Sequence, residues 1–99
     1  MARFDIFENK GGDGYLLDVQ TDLLSGLNTQ VVVPLLPKSS APSPAQRLNP
    51  VFNIKGQEVV MVTQYMAAVP ESELRFIAGS LAEQQDEISA ALAMLFLGF

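Results

Sequence analysis

A β-branched run in the first half of the chain, residues 31–36, reads Val31-Val32-Val33-Pro34-Leu35-Leu36. β-Branched side chains pack well on a pleated surface, so this run predicts a β-strand. Proline has no N–H to donate to a sheet, and Pro34 therefore predicts either an edge position or a bulge in that strand. The partners of this strand must come from the sequence on either side of it.

Two further strands are predicted upstream of this run. Phe4 and Ile6 occupy alternate positions in residues 3–7, and residues 15–20 alternate in the same way. Residues 11–14 between them read Gly-Gly-Asp-Gly, and glycine reaches positive φ at little cost. The two strands are therefore expected to pair as a hairpin around this turn.

The downstream sequence predicts a loop and then a second hairpin. Residues 37–50 contain four prolines and three serines, which is typical of a surface loop. Residues 51–54 and 58–63 are predicted strands, joined through a Lys-Gly-Gln turn at residues 55–57. Residues 71–78 fit either a short helix or a strand.

The closing segment has the pattern of a helix. Ser80 and Glu83 have the spacing of a capping box, and Gly98 is placed to end the helix. One helix face would carry Leu81, Ile88, Leu92 and Leu95. The expected architecture is mainly β, with at least five antiparallel strands followed by one C-terminal helix.

Composition narrows the classes of function. The chain has 99 residues, which fits a single domain over residues 1–99, and 48% of them are hydrophobic, too many for a disordered protein. It contains no cysteine and no histidine, which excludes disulfides, thiolate chemistry and the commonest general base. Six basic and 11 acidic residues give a net charge of −5, which disfavours direct binding to nucleic acid.

Hydropathy predicts a homo-oligomer, and the absence of a recognisable targeting segment predicts a cytoplasmic protein. The mean hydropathy of +0.23 is high for so short a chain and suggests apolar surface covered by a second copy, as in a homodimer. The first eight residues include three charged ones, Arg3, Asp5 and Glu8, and lack the apolar core of a signal peptide. The longest apolar run, residues 90–97, is too short to span a bilayer.

Apparent catalytic and metal-binding motifs fail on closer reading. The glycines of residues 11–14 lack the Gly-Lys-Ser/Thr of a phosphate-binding loop. Asp18 and Asp22 could hold a hard cation, but Thr21 or Asp22 more readily caps the turn that follows. No histidine is present to activate Ser39, Ser40 or Ser43. No catalytic residue, metal site or cofactor is therefore predicted.

The apolar end of the chain is the most informative feature for function. From residue 90 it reads Ala-Ala-Leu-Ala-Met-Leu-Phe-Leu-Gly-Phe, which is apolar on every face of a helix. One face can pack on a sheet, but the other faces need a second cover. The physics leaves two readings open, a dimer core or the groove of a partner protein.

Three stretches and the closing helix together resemble the CcdB family, the toxin half of a bacterial toxin–antitoxin pair. The stretches read Asp18-Val19-Gln20-Thr21-Asp22-Leu23-Leu24, Val32-Val33-Pro34-Leu35 and Met66-Ala67-Ala68-Val69-Pro70, and the helix contributes Ile88, Ala91, Phe96 and Gly98. The likeness follows the same order over nearly the whole chain. It implies an SH3-like antiparallel barrel with a small extra sheet, a homodimer, and extended backbone around residues 73–77.

The resemblance also implies a mechanism of binding, not catalysis. Family members bind the A subunit of DNA gyrase and trap gyrase covalently joined to cleaved DNA, and the antitoxin CcdA releases it. The gyrase-facing set maps onto Leu23, Leu24, Ala93, Phe96, Leu97, Gly98 and Phe99. Leu97 and Ala93 depart from the best-known member, which has tryptophan and asparagine there, and Phe99 is the candidate for the missing aromatic ring.

The sequence leaves other functions and contacts open. The ribonuclease toxins of the MazF/Kid type use a similar barrel, so RNA cleavage is an alternative by analogy of fold. A binding module that has kept the fold and lost the poison is another. For the antitoxin, residues 37–50 and 11–14 are exposed candidates, and an acidic toxin would suit a basic antitoxin segment.

Overall fold

The computed structural model describes residues 2–99. This part of the chain forms seven strands and one α-helix, which confirms the mainly β architecture with a C-terminal helix. The strands are β1 (Asp5–Glu8), β2 (Tyr15–Asp18), β3 (Thr29–Pro37), β4 (Val51–Ile54), β5 (Gln57–Met61), β6 (Ala67–Pro70) and β7 (Ile77–Ser80). The helix is α1 (Gln85–Leu97), and short 3-10 turns lie at Asp22–Leu24, Thr63–Tyr65, Glu71–Glu73 and Ala82–Gln84.

All seven strands belong to one antiparallel sheet that curls into a half-barrel. Six of them follow the order β4-β5-β3-β2-β1-β7, and β6 pairs separately with the first half of β3. Both predicted hairpins are present, β1 with β2 and β4 with β5. Strand β3 is therefore the centre of the fold, since it contacts β2 on one side and both β6 and β5 on the other.

The expectation for Pro34 was wrong, because the strand that contains it is neither an edge nor bulged at that point. Pro34 lies opposite Leu16 of β2. On the other side of β3, the pairing with β6 ends at Val32 and the pairing with β5 begins at Leu35. The proline nitrogen lies where β3 changes partners, and its carbonyl accepts from the Val62 N–H at 3.0 Å. A missing N–H therefore removes no bond of the ladder at this position.

The main core lies between the sheet and α1. Leu17, Val33 and Leu35 project from the central strands with no exposed surface, and Ile88 and Ala91 of α1 meet them with none either. A smaller cluster of Phe7, Val32 and Leu74 lies on the opposite face of the sheet. No helix within residues 2–99 has the length and apolar character needed to cross a membrane.

The helix begins later than the sequence predicts. Ser80 is the last residue of β7 and pairs with Asp5, and the Leu81 N–H donates to the Phe4 carbonyl at 2.8 Å. The Ser80 hydroxyl accepts from Ala82 N–H, so the predicted capping box is not formed. Sheet contacts of Ser80 and Leu81 delay the helix, which is preceded by the 3-10 turn at Ala82–Gln84 and begins at Gln85. The predicted end is confirmed, since Gly98 caps α1 at φ 80°.

Residues 71–78 combine the two alternatives that the sequence left open. Glu71–Glu73 forms a 3-10 turn, and the chain returns to the sheet as β7 from Ile77. Leu74 between them has φ −103° and ψ 76° and packs into the smaller cluster. The extended backbone implied by the resemblance is therefore present only after the turn.

Candidate protein-binding surface

Two of the segments that expose large apolar side chains coincide with the residues that the resemblance assigns to gyrase, while the exposed Phe76 and Ile77 lie outside both. The first is residues 21–28 of the connection between β2 and β3, here called the leucine turn, where Leu23 is 92% exposed. The second is the C-terminal patch, defined as Phe96, Leu97 and Phe99, which are 67%, 63% and 72% exposed. Clusters of exposed apolar side chains mark interaction sites in soluble proteins.

The C-terminal patch is shaped by the way α1 ends. Gly98 adopts the left-handed conformation, and its N–H donates to the Met94 carbonyl at 3.1 Å. This turns the chain away from the helix axis, so that Phe99 is presented beyond the last helical turn. Ala93, which the resemblance places in the same surface, is half-buried four residues before Leu97 on the same helix face.

The leucine turn is held at its start by two side chains. The Thr21 hydroxyl accepts from the Leu23 N–H at 3.3 Å, which confirms the predicted cap. The Asp22 carboxylate accepts from the Arg3 N–H at 2.8 Å and ties the turn to the N-terminal segment. These contacts fix the backbone while the Leu23 side chain stays in solvent.

A buried polar network lies under the leucine turn. Gln30 Nε2 donates to both carboxylate oxygens of Asp18, and the Gln20 carboxamide joins Gln30 to the turn. Burial raises the pKa of Asp18, while the hydrogen bonds from Gln30 and Gln20 oppose that rise. Every buried side-chain nitrogen and oxygen within residues 2–99 has a hydrogen-bond partner. The network is therefore complete without a ligand.

Asp18 and Asp22, the two carboxylates considered for a cation site, bond to different partners within the protein. Asp18 is wholly buried and is occupied by the Gln30 amide, whereas Asp22 is exposed and is bonded to the backbone of Arg3. Within residues 2–99 no group of three or more Asp, Glu, His or Cys side chains has an arrangement that could hold a metal ion. The two carboxylates have separate structural roles.

The predicted site residues fall on two separate elements. Ala93, Phe96, Leu97, Gly98 and Phe99 are grouped at the end of α1, and Leu23 and Leu24 lie on the leucine turn. Besides its contacts with the sheet, α1 packs on the 3-10 turns at Thr63–Tyr65 and Ala82–Gln84. Each group lies on one continuous segment of the chain.

Three features of this surface are not predicted from the sequence. Leu27 is 47% exposed and extends the apolar face of the leucine turn. Gln20 and Gln30, which support the turn, received no role. The sequence does contain a signal for Gln20 and Gln30, since each is a polar residue at the end of a largely apolar predicted strand.

The long loop of residues 37–50 is anchored to the sheet. The Asn49 amide nitrogen donates to the Met61 carbonyl at 3.0 Å and to Gln64 Oε1 at 2.8 Å. Asn49 Oδ1 accepts from the Ala45 N–H at 3.0 Å, and the Thr63 hydroxyl donates to the Leu48 carbonyl. Buried polar bonds thus fix the second half of a loop whose composition predicts only irregular structure.

Comparison with known proteins bears on both the family and the fold. The model of the family described as CcdB protein matches residues 3–98. A solved structure of a mycobacterial endoribonuclease in complex with its cognate antitoxin is 17% identical, with a TM-score of 0.76 over 100% of this chain and 98% of that one. At this identity the likeness shows a shared fold. No curated protein sequence matches the chain.

Proposed function

The chain belongs to the CcdB family, and from this membership we propose that it is a toxin that binds the DNA gyrase A subunit and traps gyrase on cleaved DNA. Membership itself suggests the toxin of a toxin–antitoxin system. The observation that carries the gyrase proposal is the exposure of apolar side chains on both segments that the resemblance assigns to gyrase. Leu23 at 92% and Phe99 at 72% exposed are the strongest cases.

A binding surface explains these side chains better than a catalytic one. Each exposed leucine or phenylalanine gains about 1.5–3 kcal/mol when fully buried, and a partner groove supplies that burial. Aromatic side chains are enriched among the residues that dominate interface energetics. The chain contains no histidine or cysteine, and a protein that acts by binding needs neither.

The departures at Leu97 and Ala93 change how the surface would hold gyrase. A leucine cannot make the cation–π contact of a tryptophan, which contributes about 0.5–2 kcal/mol with an arginine. Phe99 is exposed two residues further on and carries an aromatic face. We assign the stacking role to Phe99 in this protein, with Leu97 and Phe96 forming its apolar surround.

The proposal includes two partners besides gyrase. A twofold homodimer would bring a second leucine turn and a second C-terminal patch into one assembly. A CcdA-like antitoxin would neutralise the toxin in the cytoplasm, and the net charge of −5 suits a basic antitoxin segment. The solved relative of the same fold is itself seen with its cognate antitoxin.

A cleavage assay with purified gyrase, supercoiled plasmid and ATP tests the proposal. Full-length protein is compared with a version that lacks residues 97–99, after both are shown to be folded with the same oligomeric state. Linear DNA that appears only with the full-length protein is the expected result. Its absence from a folded full-length protein would contradict gyrase poisoning, and linear DNA from both proteins would contradict the placement of the surface.

A ribonuclease toxin is the second candidate, because the solved relative of the same fold is an endoribonuclease. The acidic chain argues against it, since RNA binding favours a basic surface. Incubation with RNA tests this candidate. An RNA-cleaving activity that co-purifies with the folded protein and is lost when the protein is removed would favour a ribonuclease over the gyrase proposal. A third reading, a non-toxic module, predicts normal growth of cells that express the protein without antitoxin.

A further inference from the structure

The Gln20 carboxamide takes the place of a peptide group at the end of a strand. Strand β2 ends at Asp18, but β3 starts at Thr29. The Val31 carbonyl still accepts from the Val19 N–H at 3.1 Å, whereas the Val31 N–H and the Thr29 carbonyl have no backbone partner on that side within residues 2–99. Gln20 Oε1 accepts from the Val31 N–H at 3.1 Å, and Gln20 Nε2 donates to the Thr29 carbonyl at 3.2 Å. One side chain thus supplies the acceptor and the donor that a paired residue would offer.

The same amide reaches the leucine turn. Gln20 Nε2 also lies 3.4 Å from the Leu24 carbonyl oxygen. It therefore bridges the middle of the turn, at Leu24, to the point where the chain re-enters the sheet, at Thr29. The Leu23 side chain is 92% exposed and cannot hold itself in place by packing, so its direction depends on the backbone that Gln20 ties down.

The Asp18 carboxylate sets the orientation of the Gln20 amide through Gln30. Ionised Asp18 can only accept hydrogen bonds, so Gln30 must turn its Nε2 toward it, at 3.1 and 3.0 Å. Gln30 Oε1 then faces Gln20 Nε2 at 3.3 Å, which leaves Gln20 Oε1 for the Val31 N–H. The order of donors and acceptors runs from the buried carboxylate to Gln20 Nε2, whose two hydrogens are shared among the oxygens of Gln30, Thr29 and Leu24.

We propose that Gln20 is a positioning residue that presents Leu23 and Leu24 to the partner protein through its bond to the turn backbone. The inference rests on the proposed gyrase-binding function for the identity of that partner. Preorganisation of the turn would lower the ordering cost of binding. A purely structural role would instead affect the whole fold and leave the partner surface as it was.

Paired isosteric substitutions separate these two roles. Gln20→Met keeps the volume of the side chain and removes its hydrogen bonds. Asn49→Leu does the same to a second buried carboxamide, which pins the loop of residues 37–50. Both variants are expected to lower the thermal midpoint, but only Gln20→Met should weaken binding to purified gyrase A subunit, by about tenfold.

A double-mutant cycle identifies the route of the effect. In a background of Leu23→Ala and Leu24→Ala, Gln20→Met should cause no further loss of affinity, because its effect passes through those two side chains. An undiminished loss in that background, or an equal loss of affinity with Asn49→Leu, would overturn the proposal. If Gln20→Met does not fold, Gln20→Asn keeps a carboxamide in the network but shortens its reach by one methylene.

Amide hydrogen exchange provides a readout that needs no partner. The N–H groups of Leu24, Ser25 and Leu27 donate within the turn, to Thr21, Asp22 and Leu24 carbonyls at 3.0, 3.2 and 3.1 Å. They should exchange faster in Gln20→Met than in Asn49→Leu, and equal exchange would contradict positioning. If wild-type protein binds no gyrase, the proposed function fails and this measurement alone decides the role of Gln20.

Discussion

Gln30 donates from one nitrogen to both carboxylate oxygens of Asp18, at 3.1 and 3.0 Å, in a site with no solvent exposure at the aspartate. The arrangement places a carboxylate among apolar strands and gives it an amide and a backbone N–H, from Gln20, in place of water. It connects the stability of the sheet to the geometry of the leucine turn.

This burial predicts an unusual pH dependence of stability. Desolvation raises the pKa of Asp18 in the folded protein, with smaller contributions in the same direction from Asp22 and Asp5. The folded state then binds the proton more readily than the unfolded state. Stability from this group is therefore fully present below the ordinary aspartate pKa and is lost as the pH rises through the raised one.

Asp18→Asn removes that titration. The free energy of unfolding of the wild type, relative to the variant, should increase as the pH is lowered from about 7 to about 4. Urea unfolding at a series of pH values measures the difference. A difference that stays constant, or that moves in favour of the variant at low pH, would show that the hydrogen bonds outweigh desolvation.

Phe99 should matter more than Leu97 for gyrase poisoning. We expect Phe99→Ala to weaken poisoning about tenfold or more, through loss of an aromatic contact, and Leu97→Ala to weaken it less. Phe76→Ala is the matched control, since that ring is 62% exposed but lies before β7, outside both proposed segments. Equal indifference to Phe99→Ala and Leu97→Ala in the plasmid cleavage assay would refute the assignment.

Gly14 and Gly56 form a matched pair of positive-φ glycines, at 84° and 83°. A Cβ at Gly56 would meet no neighbour, so Gly56→Ala should cost only the backbone strain, about 1–2 kcal/mol. A Cβ at Gly14 would collide with the Leu35 carbonyl, so β2 and β3 would have to move apart. Gly14→Ala should therefore lower the free energy of unfolding by a further amount of about 1–3 kcal/mol. Chemical denaturation of the two variants compares them, and equal costs would contradict the close approach.

Ile88 anchors α1 to the sheet. It has no exposed surface, and Ile88→Ala should destabilise the protein by about 2–5 kcal/mol. Its neighbour Ser89 is exposed, and Ser89→Ala should change stability by no more than about 0.5 kcal/mol. Thermal and urea unfolding provide both values. A small effect of Ile88→Ala would mean that the helix contributes little to the core.

Local sequence patterns predicted most of the strands because their causes are local. Alternation and glycine-rich turns placed both hairpins, and Gly98 marked the end of α1. The helix start failed because Ser80 and Leu81 bond to Asp5 and Phe4, which lie far away in the sequence. The expectation for Pro34 failed for the same kind of reason, since whether the sheet needs an N–H at that position depends on where β6 and β5 meet β3.

The sequence by itself determined the class of the fold and the apolar character of the two proposed contact segments, because hydropathy and turn chemistry are properties of short stretches. The family was indicated by the resemblance of ordered stretches along the chain. Only the tertiary structure decided which of the polar residues support those segments. Gln20, Gln30 and Asp18 acquire their roles when β2 and β3 pair and remove them from water. Once water is excluded, each donor must find an acceptor, and that requirement fixes the leucine turn.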